Sequence, residues 1–543
     1  MKVQNQEVST NMLTGRTRLF SDFLDKNQKI RKYLKTDSPQ KAALEMSAAR
    51  VDREQLADIL EKQNLDFQSR PRTFESIEKL TNLNTLCVFG GQQAGLMGGP
   101  ILTIYKMIDI VKRAALLEDN LRRPVIPVFW MAGDDHDFEE INHTYTVSVQ
   151  SSIEKILLQQ SLKQSISVAE INVADDENYK AFKNQVEQFF AGTDFSDELI
   201  SVILQSYSPG TDFVTAFARF MNGILPDMGL ILLNPFDKDL KTLSRPFFKQ
   251  IVERHFLIRE TLEKTETELL DDDYHIQAEK KDSSVHLFYH NPERVPLHYI
   301  DDKFVMGDKK LGLPALLDLI ERNPEKFSTG VLTRPIWQSY LFPTVVQIGG
   351  PSEIAYFCQV GGLFELFRLT PPYYSIRSGA TIIEKHHEDA LAKLNIKIEE
   401  LTGDVEQVIN RIAEETFPND IKQLLEDYRS GQKTNYDKFA ARISEYDSNL
   451  DPMLEQTFGK IDFAMNNLEK KLFTRHKKHI DDIRVQIYKL SNIIYPEKNL
   501  QERVLNISYY ISKYGLGIIK YIGRTLDVTT DEHQIIYLSK NME

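Results

Sequence analysis

The stretch from Thr85 to Met131 constrains the fold more than any other part of the chain. Thr85-Leu86-Cys87-Val88-Phe89 is a short apolar run that ends in Gly90-Gly91-Gln92-Gln93-Ala94-Gly95-Leu96-Met97-Gly98-Gly99-Pro100. Ile101 to Leu117 follows, with Ile104, Met107, Ile108, Ile110, Val111 and Ala114 spaced for a packed helix. A second apolar run, Val125-Ile126-Pro127-Val128-Phe129-Trp130-Met131, ends in Ala132-Gly133-Asp134-Asp135-His136-Asp137. Strand, glycine-rich turn, helix and strand make a βαβ unit, whose strands run parallel because the crossover is a helix. Strands that are apolar throughout predict a sheet covered on both faces. The fold class is α/β with a parallel-sheet core.

Gly229-Leu230-Ile231-Leu232-Leu233-Asn234 and Thr344-Val345-Val346-Gln347-Ile348 fit the same sheet, and Ser352 is expected to cap the helix after the latter. The core then spans 81–380, with insertions near 145–225 and 236–330. The second insertion carries Val285 to Tyr289 and Leu297 to Ile300, which read as a small β-hairpin. Residues 1–80 read as a helical segment packing on the core, and 501–543 as a C-terminal segment returning to it. Between them, 381–500 is helical and carries coiled-coil spacing. Leu454, Phe458, Ile461, Met465, Leu468 and Leu472 alternate fours and threes; His476, Ile480, Ile483, Ile487 and Leu490 continue with a stutter. Ile421, Leu425, Tyr428, Phe439, Ile443 and Tyr446, with Gln432 in the seam, supply the other helix of an antiparallel hairpin. Asp451-Pro452 is expected to cap and start the second helix. A long hairpin of this kind predicts a homodimer.

The 543 residues exceed one domain of roughly 100–200 residues. With 66 Lys+Arg against 79 Asp+Glu, the net charge of −13 argues against binding nucleic acid or an anionic membrane. It leaves room for a local basic pocket around a small phosphate ligand. Two cysteines, Cys87 and Cys358, exclude a disulfide framework and a thiolate zinc cage. No apolar run reaches the ~18 residues of a spanning helix, and Met1 to Arg18 lacks a signal-peptide core. A soluble, cytoplasmic protein is expected.

Ligands of open α/β sheets sit at the carboxyl ends of the strands, where a turn of exposed N–H groups at a helix start attracts phosphate or carboxylate. Gly91, Gly95, Gly98 and Gly99 supply such a turn, and Gln92 and Gln93 add two amides. It is neither a Walker A loop nor GxGxxG. The acidic run at the end of the adjacent strand, Asp135, His136, Asp137 and Glu140 with Asn142 and His143, should open on the same crevice. There a histidine among carboxylates can act as a general base, hold an ammonium group or bind a divalent ion. Arg334, whose Pro335 neighbour predicts extended backbone, and Arg377 are candidates for carboxylate or phosphate, alongside Gly349 to Glu353. Lys106, one turn into the helix, could reach the crevice or cap a solvated face, the latter being favoured, and Trp130 and Trp337 read as core.

Gly91-Gln92-Gln93-Ala94-Gly95-Leu96 with Gly99-Pro100, Pro127 to Trp130 leading into Asp135 to His143, Thr333-Arg334-Pro335, Gly350-Pro351-Ser352-Glu353-Ile354 and Leu500-Gln501-Glu502-Arg503 form a specific set. Together they resemble the bacillithiol biosynthesis cysteine-adding enzymes, the BshC family, over essentially the whole chain. The resemblance implies a Rossmann-like core with connecting-peptide insertions and a coiled-coil domain used for dimerisation. It implies a ligase that joins the cysteine carboxyl to the amine of glucosaminyl-malate. The family's core is similar to class I aminoacyl-tRNA synthetases, although this chain carries neither their His-x-Gly-His signature nor their Lys-Met-Ser-Lys-Ser loop. ATP is expected because a free carboxylate is unreactive toward amines; whether magnesium assists is left open. On this reading His136, with Asp135, Asp137 and Glu140, is catalytic. Gly91, Gln92, Gln93, Gly95, Gly98, Gly99, Asn142, His143, Arg334, Ser352, Glu353, Arg377, Gln501, Arg503 and Asn506 bind substrate or nucleotide. Leu505 stands where an aromatic residue is expected. The alternatives are another α/β transferase acting on a sugar phosphate, and a coiled-coil assembly protein.

Overall fold

A computed structural model of the chain describes residues 5–8, 17–46, 50–134, 137–148, 151–160, 166–291 and 293–538. Its centre is a five-stranded sheet of β1 (Leu86–Gln92), β2 (Val125–Met131), β3 (Ile231–Leu233), β4 (Thr344–Gly349) and β5 (Tyr373–Ile376). The spatial order is β5-β4-β1-β2-β3, and every neighbouring pair is parallel. The first crossover is α1 (Leu102–Leu121), which stops where Arg122 turns left-handed. After β1 the chain adds β2 and β3 on one side, then returns to add β4 and β5 on the other. That reversal makes the gap between β1 and β4 the topological switch point, where such sheets open a crevice for ligands.

Both faces of the sheet are covered, as continuous apolar strands require. On one face Cys87, Phe89, Ile126, Val128 and Trp130 join a buried cluster with Leu56, Leu60, Ile77, Leu80, Phe248 and Trp337. Trp130 meets Trp337 edge to face at 5.2 Å, and the Trp337 indole N–H donates to Ser244 Oγ. On the other face Phe129 stacks against Phe217. The second insertion forms a five-stranded antiparallel sheet, Ser284–His290, Arg294–Ile300, Lys303–Met306, Lys309–Leu311 and Phe327–Thr329, around the hairpin read from the sequence.

The amino-terminal region is helical from Arg18 to Leu80, but Asn5–Val8 is a strand, which periodicity did not reveal. It pairs with His533–Leu538, over 500 residues away, and four residues carry too little pattern to announce such a partner. The helix α2 (Arg334–Leu341) begins at Arg334, which corrects the extended backbone expected from Pro335: proline sits comfortably in the first turn of a helix. The helix α3 (Pro351–Leu366) is capped by Gly350, with Ser352 inside its first turn and not at the cap.

The chain divides into two compact units, residues 1–383 with 499–543, and residues 384–498. In the second unit, α4 (Asn419–Tyr446) and α5 (Asp451–His479) form an antiparallel hairpin. Arg429 reaches Asn466 and Glu469, Tyr436 stacks on Phe458, and Ser444 bonds Asp451. The seam on α4 is rotated from the expected one. Leu425, Arg429, Gln432, Tyr436 and Ile443 are half-buried, while Tyr428, Phe439 and Tyr446 are exposed. Asp451 is the first helical residue of α5, and Leu450 the cap. The consecutive fours mark a break: α5 stops at His479, Ile480 leaves helical geometry, and α6 (Asp481–Ile494) starts again.

Candidate functional site

A cavity of about 1000 Å³ opens at the switch point. The turn after β1 contributes Gly91, Gln92 and Gln93, and the end of β2 contributes Trp130 and Ala132. The opposite wall is the amino terminus of α3, Gly350 to Glu353, with Tyr356 one turn on. Sheet topology thus brings together two motifs some 260 residues apart in sequence, because β1 and β4 are hydrogen-bonded neighbours. Gly91 is required by its neighbour strand: a Cβ there would stand 3.0 Å from the carbonyl oxygen of Trp130.

Lys106 does not cap a solvated face. It is buried, and its Nζ donates to Gly91 O at 2.7 Å, Gln92 Oε1 at 3.0 Å and Glu353 Oε2 at 2.6 Å. The same Glu353 oxygen accepts from Gly350 N at 2.8 Å. Burial lowers the Lys106 ammonium below the ordinary lysine range, against the opposing pull of Glu353 and with added pressure from Arg377 and Arg334. Of the two readings the sequence left open, the structure bears out the crevice; the choice was not legible because it depends on Gly91, Gln92 and Glu353, the last 247 residues away.

Three arginines complete the lining: Arg334, Arg377 and Arg503. Arg334 donates to the Tyr356 hydroxyl, whose pKa burial pushes up to about 12. Arg377 is buried and paired with Glu502 at 2.6 Å. Burial and then the charge of Arg377 both press against the Arg503 cation. Like charges held this close in a concave site favour an anionic ligand, as does the start of a sixteen-residue helix.

Asp135 and His136 lie outside the described residues. The chain on either side of them does not: Ala132 and Glu140 both line the cavity, and Gln93 Nε2 donates to Glu140 Oε2 at 2.9 Å. Asp137 is exposed at the start of the short helix Phe138–Ile141. Asp134 is anchored by the fully buried Lys241 at 3.2 Å.

Other expected site residues sit behind the cavity wall. Gly98 and Gly99 adopt φ of 84° and 67°, which a side chain would strain, and with Gly95 they form the buried back of the turn. The Asn506 amide donates to Met97 O and Gly99 O and so holds that turn in shape. Gln501 accepts from Ile382 N and donates to Ile382 O, filling a backbone's role beside that strand. Asn142 and His143 bond each other and lie off the cavity; burial lowers the His143 pKa. Ser352 and Glu353 do line it. Tyr356 and Gln277 are lining residues that the sequence did not single out.

The fold and cavity define a class first, a doubly wound α/β protein with a cation-lined crevice at its switch point and a separate helical hairpin unit. Comparison with known proteins places it within that class. The family described as "Bacillithiol biosynthesis BshC, N-terminal Rossmann-like domain" matches residues 1–378, and "Bacillithiol biosynthesis BshC, C-terminal coiled-coil domain" matches residues 380–538. The chain belongs to the BshC family. A protein of Bacillus cytotoxicus named "Putative cysteine ligase BshC" is 31% identical over 90% of this chain and 91% of its own length. Proteins of the same name from Geobacillus thermodenitrificans and Salinibacter ruber are each 28% identical, over 98% and 92% of this chain and 100% and 91% of theirs. No described helix is long and apolar enough to cross a membrane.

Proposed function

We propose that this chain is a cysteine ligase that forms an amide between the cysteine carboxyl and the amine of glucosaminyl-malate, with ATP activating the carboxyl. Family membership and the relatives' printed names support a cysteine ligase. The observation that carries the finer reading is the convergence of Arg334, Arg377 and Arg503 with the amino terminus of α3 on one cavity. That set suits the two carboxylates of a malate group and the phosphates of a nucleotide.

ATP supplies the leaving group that a free carboxylate lacks. The chain's own residues then have three tasks. Arg334, Arg377 and Arg503 hold negative charge; Gly91, Gln92 and Gln93 present polar groups to the acyl carbon's surroundings; and His136 takes the proton from the attacking amine. The protein works in the cytoplasm on small molecules. It is a homodimer joined through the hairpin: Tyr428, Phe439 and Tyr446, spaced 11 and 7 residues apart, share one face of α4 and are 55%, 58% and 85% exposed.

The test is a purified reaction of cysteine, glucosaminyl-malate and ATP, followed by mass spectrometry of the thiol product and of the nucleotide. Bacillithiol with AMP supports an adenylate, and bacillithiol with ADP an acyl phosphate. Product formed without nucleotide consumption overturns the activation step. Binding of phosphorylated sugars with no response to cysteine overturns the ligase.

A further inference from the structure

A six-residue stretch far from the glycine turn in sequence, Gln501 to Asn506, is tied to both walls of the crevice. Toward one wall, Leu505 O accepts from Ile101 N at 2.8 Å and Asn506 holds Met97 O and Gly99 O. Toward the other stands Glu502, a carboxylate 2% exposed. Its Oε1 accepts from Arg377 NH2 at 2.6 Å and its Oε2 from Ala380 N at 2.9 Å.

Glu502 meets no cavity surface itself, so a ligand cannot touch it; Arg377 does line the cavity. Arg377 is fixed at its backbone as well, where its N–H donates to Gly349 O at the end of β4. Its NH1 donates to Ser378 O at 3.3 Å. The space for the carboxylate is made by Gly379, where a Cβ would come within 2.8 Å of Glu502 Oε2. Burial would raise the Glu502 carboxyl, but Arg377, His533 and the Ala380 N–H outweigh it and hold it below the usual range. A carboxylate this enclosed and held by two donors restrains its partner, because Arg377 can donate its short charge-assisted bond to Oε1 only from a narrow range of guanidinium positions.

We propose that Glu502 is the positioning residue for Arg377, holding the guanidinium against the crevice so that it meets an anionic group of the ligand at a fixed place. The inference rests on the reading of the crevice as the site of a malate-bearing substrate. Glu502 acts through Arg377 and not on the reacting atoms.

The experiment is a cycle of Glu502→Gln, Arg377→Met and the double variant, with the dissociation constant for malate measured by calorimetry on protein shown to be folded by near-ultraviolet circular dichroism. Glu502→Gln is expected to weaken malate by about tenfold or more in the wild-type background and by less than about twofold beside Arg377→Met. Glu502→Asp, which keeps the charge, should recover part of the affinity. Equal losses in both backgrounds, or no loss in the first, overturn the proposal. A crystal structure of the Glu502→Gln protein reads the positioning directly: a displaced Arg377 guanidinium supports it, and one superposing on its original place overturns it. Wild-type protein that does not bind malate would overturn the substrate reading alone, since the crystallographic arm does not depend on the ligand.

Discussion

Lys106 Nζ lies 2.6 Å from Glu353 Oε2, which joins the helix after β1 to the helix after β4 across the switch point. All three ammonium protons have protein acceptors, so this lysine braces the crevice floor. Lys106→Met would strand Glu353 without its cation and Gly91 O without its donor. Removing one member of a buried pair costs about 3 kcal/mol, whereas removing both costs less. Urea unfolding should show Lys106→Met less stable than Lys106→Met with Glu353→Gln. Equal midpoints would mean the pair is not a brace.

Arg334 projects from the first turn of α2 with the Tyr356 hydroxyl as its neighbour. A charge-assisted bond to a ligand oxygen contributes roughly 1.5–3 kcal/mol. Arg334→Gln should therefore raise the KM for glucosaminyl-malate by about tenfold or more with little change in melting temperature. Steady-state kinetics checks this, and an unchanged KM removes Arg334 from the ligand's reach.

His136→Ala should lower turnover by at least about 10²-fold if its imidazole is the base. The decisive comparison is kcat measured at saturating substrates. Turnover near that of the unaltered protein would assign the residue a structural part.

Two buried histidines set an acid limit on stability. Burial lowers His286 to about 4, aided by Lys280, and His290 to about 2, aided by Lys241 and Arg294. His290 stays neutral between Ser328 Oγ at 2.8 Å and Ser167 Oγ at 3.2 Å. As pH falls through about 6.5 the unfolded chain takes up both protons and the folded chain does not, so stability drops. Each histidine contributes a loss of about 1 kcal/mol between pH 6.5 and 5.5. Denaturant titrations of His290→Gln should show a loss smaller by about that amount over the same interval; an identical pH slope would contradict the assignment.

Gly361, inside α3, faces the carbonyl oxygen of Tyr33, and a Cβ there would fall 1.9 Å from it. Gly361→Ala must push the amino-terminal helix Gln28–Leu34 away from the core. Overpacking of this kind costs about 1–3 kcal/mol, and here backbone is the obstacle, so the upper end is expected. Thermal unfolding measures it; a shift of less than about 1 °C would show that the helix moves freely.

The parallel core was legible because its long strands are mostly apolar runs, two of which run directly into glycine, at Phe89-Gly90 and Ile348-Gly349. Local pattern also marked the two turns that face each other across the crevice. Their pairing was not written there, since strand order is a property of packing and not of any short window. The same limit explains Lys106, Glu502 and the strand Asn5–Val8, whose partners lie from 125 to over 500 residues away or on another helix. In the hairpin, an apolar repeat was visible, but two stripes on α4 compete, and only the register with α5 chooses which one is the seam.

Asn506 grips the glycine turn from 407 to 409 positions downstream, while nearby Arg503 joins the cavity lining and Glu502 holds Arg377 from behind it. A chain emerging from the ribosome therefore carries both halves of the sheet long before it carries a finished pocket. Until residues 503 and 506 have been added, the cavity lacks part of its lining and the glycine turn lacks the amide that clamps it.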